Sequence, residues 1–155
     1  MVAITLTDAE IQMGATVGIL RRVDSLRRGL EPGRMGAHNW DAEIEGALAE
    51  CAAANALGKY WSGSVGSFKD ADLGKRAQVR ATEHDNGKLI LRENDKKDHA
   101  YILVTGRCPN YIVRGWIEGA EAVKLTQYKT NPGGHGEALF IPQSELKPIP
   151  PKVDK

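Results

Sequence analysis

The sequence predicts a single α/β (α+β) domain in which helices flank a curved, mixed sheet of four to five strands. Two helical stretches come first, and a run of strands with few helices between them follows. The 155 residues are 41% hydrophobic and 26% charged, which is typical of an ordinary globular domain. We therefore expect one domain over residues 1–149 and a flexible, Pro- and Lys-rich tail over residues 150–155.

The first helix is expected over residues 7–30, as an extra N-terminal element. Thr7 and Glu10 have the spacing of a capping box, in which each side chain satisfies an unpaired amide. A helical stripe of apolar residues follows: Ile11, Ala15, Ile19, Val23, Leu26 and Leu30. The basic residues of its second half are Arg21, Arg22, Arg27 and Arg28. Two interpretations of these arginines stay open, a face turned toward phosphates and a solvated outer face of a terminal helix.

A second helix is expected over residues 39–57, after a Gly- and Pro-containing linker at residues 31–38. Asn39 is a suitable N-cap, and acidic residues crowd the first turns, where the helix dipole favours negative charge. The stripe expected to be buried consists of Ile44, Ala47, Leu48, Cys51 and Ala54. Glu50 lies in the middle of the helix, so the dipole does not explain it.

The hydrophobic period changes after Gly58 and predicts strands. The expected strands are residues 59–68, 77–83, 88–93, 100–106, 111–117 and 138–142. The Asn86-Gly87 pair predicts a hairpin turn between the second and third of these strands. Residues 100–106 are almost continuously apolar, which predicts a central strand. A short helical piece is expected at residues 118–125.

Charge, cysteine and histidine content restrict the function classes. The net charge is +1, so any nucleic-acid-binding face must come from a local cluster. Cys51 and Cys108 lie far apart without a Cys-x-x-Cys pair, which disfavours a zinc knuckle and predicts two free thiols. The four scattered histidines are interpreted as solvated loop residues. Neither a signal peptide nor an apolar stretch of about 20 residues is visible, which predicts a cytoplasmic protein without membrane contact.

A constellation of polar residues can carry chemistry. Glu50 lies on a helix and Asp72 precedes a strand, whose residues Gln78 and Arg80 share one face. Oxygen ligands from such segments can converge on Mg²⁺, which polarises a phosphate and lowers the pKa of a bound water. Arg80 could then hold the attacked phosphate. In the alternative interpretation, Arg80 pairs with Asp72 or Glu83 and the cluster is only a polar sheet face.

Several longer segments of the sequence resemble those of a known family. They are "ALGKYW", "FKDADLGKRAQVRAT", "YILVTG", "YIVRGWIEGAEA" and "ALFIPQSEL", and they span about residues 5–149. In this order they resemble bacteriophage proteins with the PD-(D/E)xK (restriction-endonuclease-like) fold. The resemblance implies metal-dependent hydrolysis of DNA phosphodiester bonds.

The resemblance assigns roles to individual residues. Glu50 resembles the helix acid of the family, Asp72 the motif Asp, Gln78 the second carboxylate and Arg80 the motif Lys. Mg²⁺ or Mn²⁺ would be held by Glu50, Asp72 and Gln78. The basic residues that would contact DNA phosphates are Lys69, Lys75, Arg76, Arg21 and Arg28.

Two departures from the family pattern favour an alternative. Gln78 offers a metal a neutral oxygen, so the affinity for a dication should fall. Arg80 is always charged and cannot act as a general base. The alternative is a catalytically inactive nuclease-fold protein that acts as a DNA-binding or phage structural or interaction module. Its partners would be DNA, a second copy of the chain or another phage protein, in the host-cell cytoplasm.

Overall fold

The structure is a computed structural model that describes residues 1–30, 40–66, 70–134 and 136–151. Two long helices come early, α1 (Asp8–Arg27) and α2 (Trp40–Leu57), and a short helix, α3 (Gly119–Ala122), follows the fifth strand. The strands are β1 (Val2–Thr5), β2 (Ala77–Thr82), β3 (Leu89–Arg92), β4 (Ala100–Arg107), β5 (Asn110–Glu118), β6 (Lys129–Thr130) and β7 (Ala138–Ile141).

The strands form two sheets. The first has four strands in the order β1-β5-β4-β2, with β2 parallel to β4 and the other pairs antiparallel. The second is antiparallel, in the order β3-β7-β6. This arrangement confirms the predicted α+β class and the mixed four-stranded sheet. The second sheet was not expected.

Strand β4 separates two hydrophobic cores because its side chains alternate between the faces of the first sheet. Ile102 and Val104 join the core that α2 covers. Tyr101 and Leu103 join the core shared with the second sheet. As predicted, β4 is a central strand, buried over most of its length.

Helix α1 packs on α2 through small residues. A Cβ atom at Gly18 would lie 2.5 Å from the Ile44 Cα, and one at Gly14 would lie 2.6 Å from the Leu48 Cδ2. The residues that α1 buries are Gly14, Val17, Gly18, Arg22 and Ser25. Its larger apolar residues are exposed: Met13 by 47%, Ile19 by 42%, Leu20 by 49% and Leu26 by 51%. The helix therefore buries Val17 with several small and polar side chains, half-buries Ile11, and exposes most of its larger aliphatic residues.

Both predicted long helices are confirmed. The capping box is present, with the Thr7 N–H donating to Glu10 at 2.7 Å and the Glu10 N–H donating to the Thr7 Oγ1 at 3.3 Å. Helix α1 ends before the predicted residue 30, because Gly29 adopts a φ of +62°. In the stripe predicted for α2, Ala47, Leu48, Cys51 and Ala54 are buried and Ile44 is half-buried.

Two strand predictions are wrong. Within residues 59–66 of the predicted first strand there is no strand, because Gly63 and Gly66 take positive φ angles that an extended strand does not allow. The predicted hairpin also fails. A turn forms, with the Gly87 N–H donating to the His84 carbonyl at 2.9 Å, but it leads from the first sheet into the second. Strand β2 pairs with β4, and β3 pairs with β7.

The histidine prediction is wrong at His99, which is only 5% exposed and has its Nδ1 3.1 Å from the Asp98 carboxylate. Cys51 and Cys108 are free, as predicted. Across the described part of the chain, no helix is both long and apolar enough to cross a bilayer. The predictions for the linker at 31–38, Asn39, Lys69 and residues 152–155 lie outside the described residues.

Candidate functional site

A polar cleft of about 270 Å³ opens where α1, α2 and the chain before β2 meet. We call it the charged cleft, and its lining residues are Arg21, Ser25, Glu43, Ser64, Gly66, Asp70, Ala71, Asp72 and Gln78. Strand β2 is an edge strand of the first sheet, so the segment that leads into it lies at the open side of the fold. Residues that are far apart in sequence thus meet at this edge.

The Arg21 guanidinium and the Glu50 carboxylate form a bidentate ion pair below the cleft. The Arg21 Nη1 donates to the Glu50 Oε1 at 2.7 Å, and the Arg21 Nη2 donates to the Oε2 at 2.8 Å. The Arg21 Nε donates to the Ser64 carbonyl at 2.9 Å, which fixes the plane of the guanidinium. This parallel, two-bond geometry is the strongest that arginine makes with a carboxylate.

Glu50 has a third donor, because the Trp61 Nε1 lies 3.1 Å from its Oε2. Glu50 is 7% exposed and Trp61 is 6% exposed, so water does not compete for these bonds. Glu50 does not line the charged cleft, whereas Arg21 does. Arg21 therefore lies between the helix acid and any ligand in the cleft.

The surroundings of Arg21 favour its protonated, positively charged form. Burial opposes the charge, but the hydrogen bonds and negative charge of Glu50, helped by Asp72 and Glu43, outweigh burial and raise the pKa of Arg21. Arg21 bonds directly to Glu50 and acts on Asp72 only through space, so the guanidinium compensates Glu50 much more than Asp72. Arg21 thus supplies the positive charge between the two acids for which the sequence predicted a metal ion.

Of the two acids, Asp72 is the one that a ligand in the charged cleft can reach. Its Oδ2 accepts a hydrogen bond from the Val79 N–H at 2.7 Å, which ties the acidic segment to β2. Burial, followed by the negative charge of Glu50, raises the pKa of Asp72 to about 6, although the Val79 N–H, Arg80 and Arg21 act in the other direction. Asp72 lines the cleft together with Arg21, which bonds to Glu50, so the two acids lie near the same guanidinium.

The other two predicted residues do not join Glu50. The Gln78 Nε2 donates to the Asp70 carbonyl at 2.9 Å, and this hydrogen bond links two residues that line the charged cleft. The Arg80 Nη2 donates to the Asp95 Oδ1 at 2.9 Å, and its guanidinium lies 5.1 Å from the ring centroid of Tyr101. Tyr101 belongs to the core on the opposite face of the first sheet. The expected Arg80 pairing with Asp72 or Glu83 is also wrong, since Asp95 is the partner.

The predicted metal ligands do not fit a dication in this arrangement. Arg21 engages both oxygens of Glu50, and the Oε2 also accepts a hydrogen bond from Trp61. Among the described residues, no three His, Cys, Asp or Glu side chains are grouped so that they could hold a metal ion. A site formed by Glu50, Asp72 and Gln78 would first require Arg21 to leave Glu50.

The described residues that were predicted to contact DNA fall into two groups, Arg21 and Arg28 of the first helix and its C-cap, and Lys75 and Arg76 before β2. Arg21 is committed to Glu50, and the Arg28 Nε lies 3.1 Å from the Asp24 carboxylate. Lys75 and Arg76 are exposed and line a different, shallow depression. Lys59 and Glu118 also line that depression. Lys69 is outside the described residues.

Sequence reasoning missed the partners that define this site: Trp61, Ser64, Asp95 and the role of Arg21. One signal was available for Arg21. Gly14 and Gly18 precede it by seven and three residues, so the three lie on one helix face, and paired glycines at this spacing are typical of close helix packing. The aliphatic stripe of the sequence instead lies largely on the opposite face of the helix. No sequence signal pointed to Asp95, which reaches Arg80 across the fold from the loop after β3.

No protein-family model, curated protein or solved structure matches the chain at a significant level.

Proposed function

We propose that this chain is a PD-(D/E)xK-like domain that does not cut nucleic acid and acts as an interaction module. The proposal follows the resemblance in sequence order, in which an acid-bearing helix precedes an Asp and a strand. It is supported by the placement of α2 on a mixed four-stranded sheet and by the approach of Glu50 to Asp72. What separates it from a nuclease is how those acids are used.

The observation that carries the proposal is the occupation of both Glu50 oxygens by Arg21. A nuclease of this type needs free carboxylate oxygens to bind a dication and place it against the scissile phosphate. In a buried pair, separating the partners leaves an uncompensated charge at a cost of several kcal/mol, roughly 3–5 in measured cases. Without a bound cation, the remaining acids of the charged cleft, Glu43, Asp70 and Asp72, repel phosphate.

A plasmid-nicking assay in Mg²⁺ and in Mn²⁺ tests the proposal. The wild type and Asp72→Asn are compared at equal concentration, because Asn keeps the shape of the side chain and an acceptor for the Val79 N–H. We expect no nicking above the level of the Asp72→Asn variant with either metal. Metal-dependent nicking by the wild type that disappears in Asp72→Asn would overturn the proposal.

The second candidate is the metal-dependent DNA nuclease. The observation that favours it is the position of Asp72. The residue faces an open polar cleft, and its raised pKa, about 6, shows that its charge is poorly compensated. Poorly compensated carboxylates in clefts are common at functional sites. The nicking assay decides between the two candidates, because only the nuclease predicts a difference between wild type and Asp72→Asn.

A further inference from the structure

The outer face of α1 is apolar and exposed. It follows a seven-residue repeat with alternating steps of four and three residues: Ala9, Met13, Thr16, Leu20, Val23 and Arg27. Ile19 and Leu26 flank this seam, and these two residues and the seam residues Met13 and Leu20 are exposed by 42–51%. Scattered exposed leucines are normal on protein surfaces, but four large apolar side chains exposed on one helix face over about four turns indicate an interaction site.

The inner face of α1 explains why the stripe cannot turn inward. Gly14 and Gly18 approach α2 so closely that Cβ atoms there would clash with Leu48 and Ile44. Arg21 is fixed by Glu50 and the Ser64 carbonyl. Rotating α1 about its axis would bury aliphatic side chains where only glycine fits and would break the ion pair. Within the part of the chain that the structure describes, the apolar face therefore stays exposed.

We propose that a second copy of this chain covers the stripe, with the two α1 helices packed antiparallel across a two-fold axis. The spacing of the stripe is that of a two-stranded coiled-coil seam, into which another helix inserts its side chains. An isologous interface requires a surface complementary to itself, and this seam meets that requirement. The pairing extends the proposed interaction role by naming the partner.

The seam is symmetric about Gly18, close to the midpoint of α1. An antiparallel pair centred there places Met13 opposite Val23 and Thr16 opposite Leu20. It also places Arg27 opposite the small Ala9, beside the exposed Asp8 of the other helix. Each end of the pair thus joins an acid to an arginine, and the two helix dipoles oppose each other favourably. A parallel pair would instead place Asp8 against Asp8 and Arg27 against Arg27.

The size of the face sets the expected affinity. A helix of 20 residues is about 30 Å long, so two such helices in contact bury less than the roughly 800 Å² per partner of a standard interface. We therefore expect a reversible dimer in the micromolar range, detectable by sedimentation equilibrium across a concentration series.

Leu20→Glu tests the seam, because Leu20 is half exposed and its replacement leaves the inner face of α1 unchanged. We expect Leu20→Glu to be monomeric at concentrations where the wild type is dimeric. Tyr60→Glu is the matched control, since Tyr60 is an exposed residue with a large side chain outside α1, and the variant should dimerise like the wild type. A wild type that stays monomeric throughout, or a dimer unaffected by Leu20→Glu, would overturn the proposal.

A charge exchange tests the antiparallel orientation. Asp8→Lys and Arg27→Glu should each weaken dimerisation about fivefold, because each creates like-charge contacts at both ends of the pair. The double variant should return to within about twofold of the wild type. A double variant no tighter than the single ones would contradict the antiparallel register. These results are independent of nicking, so failure of the dimer and failure of the proposed function are separate outcomes.

Discussion

The two faces of α1 differ in a way that reverses the usual pattern of a surface helix. The inner face carries two glycines, one valine, a serine and two arginines, and it meets a buried glutamate. The outer face carries methionine, isoleucine and leucines in contact with solvent. Surface helices ordinarily bury the aliphatic stripe and solvate the polar one. The inner face thus lines the charged cleft and allows close packing on α2, whereas the outer face presents most of the larger aliphatic side chains to solvent.

The largest expected effect is on the inner face, in Arg21→Met. Removing the guanidinium leaves the buried Glu50 charge uncompensated, so we expect a loss of about 3–5 kcal/mol in the free energy of unfolding. Urea denaturation measures it. Arg107→Gln is the control, because the exposed Arg107–Asp41 pair should contribute less than about 1 kcal/mol. Equal losses in the two variants would show that the Arg21–Glu50 pair does not stabilise the fold.

Gly18→Ala should have the next largest effect on the free energy of unfolding. The added Cβ would lie 2.5 Å from the Ile44 Cα and 2.7 Å from the Glu43 carbonyl oxygen, both backbone atoms. We expect a loss of about 1–3 kcal/mol, measured by thermal unfolding. Gly46→Ala is the matched control in α2, where the Cβ meets open space and should stabilise the helix by up to about 1 kcal/mol. If both substitutions stabilise the protein, the helices are not packed as closely at Gly18 as described.

Asp72→Asn should change how stability depends on pH. The folded-state pKa of Asp72, about 6, lies above its ordinary value, so the folded state favours the protonated carboxyl. Its contribution is fully present below about pH 4 and is lost as the pH rises through 6. The Asn variant keeps a neutral side chain, so relative to the wild type it should gain about 1–2 kcal/mol between pH 4 and pH 7.5. Parallel stability curves for the two proteins across this range would contradict the shift.

The smallest effect on stability should come from the outer face. Leu26 is 51% exposed, so Leu26→Gln should alter the unfolding free energy of the monomer by less than about 0.5 kcal/mol. Chemical denaturation at a protein concentration below the dimer range measures the monomer alone. A large loss in Leu26→Gln would mean that the outer face is packed within the monomer, and the contrast between the two faces would disappear.

The sequence was sufficient for features that depend on local patterns. The capping box of α1, the alanine-rich stripe of α2 and the apolar strand β4 follow from spacing and composition alone. The pairing of strands did not follow, because Asn86-Gly87 specifies a turn without specifying which sheet the next strand joins. Trp61 likewise enters the core from an irregular segment, where alternation carries no information.

The candidate site was predictable only as a set of acids. Glu50 was identified because a buried mid-helix acid needs an explanation, and Asp72 because it adjoins a strand. Their common partner was misassigned, since the net charge of the arginine-rich half of α1 does not reveal which arginine points inward. That depends on the rotation of α1, which Gly14 and Gly18 fix through contacts with α2.

The most direct test of the central claim is a calorimetric titration of the wild type with Mn²⁺ at pH 7.5, where Asp72 is ionised. Because Arg21 engages both oxygens of Glu50 and Asp72 alone is a weak ligand set, we expect no saturable binding at millimolar Mn²⁺ and heats that match those of Asp72→Asn. A saturable one-site isotherm in the wild type that vanishes in Asp72→Asn would contradict the account.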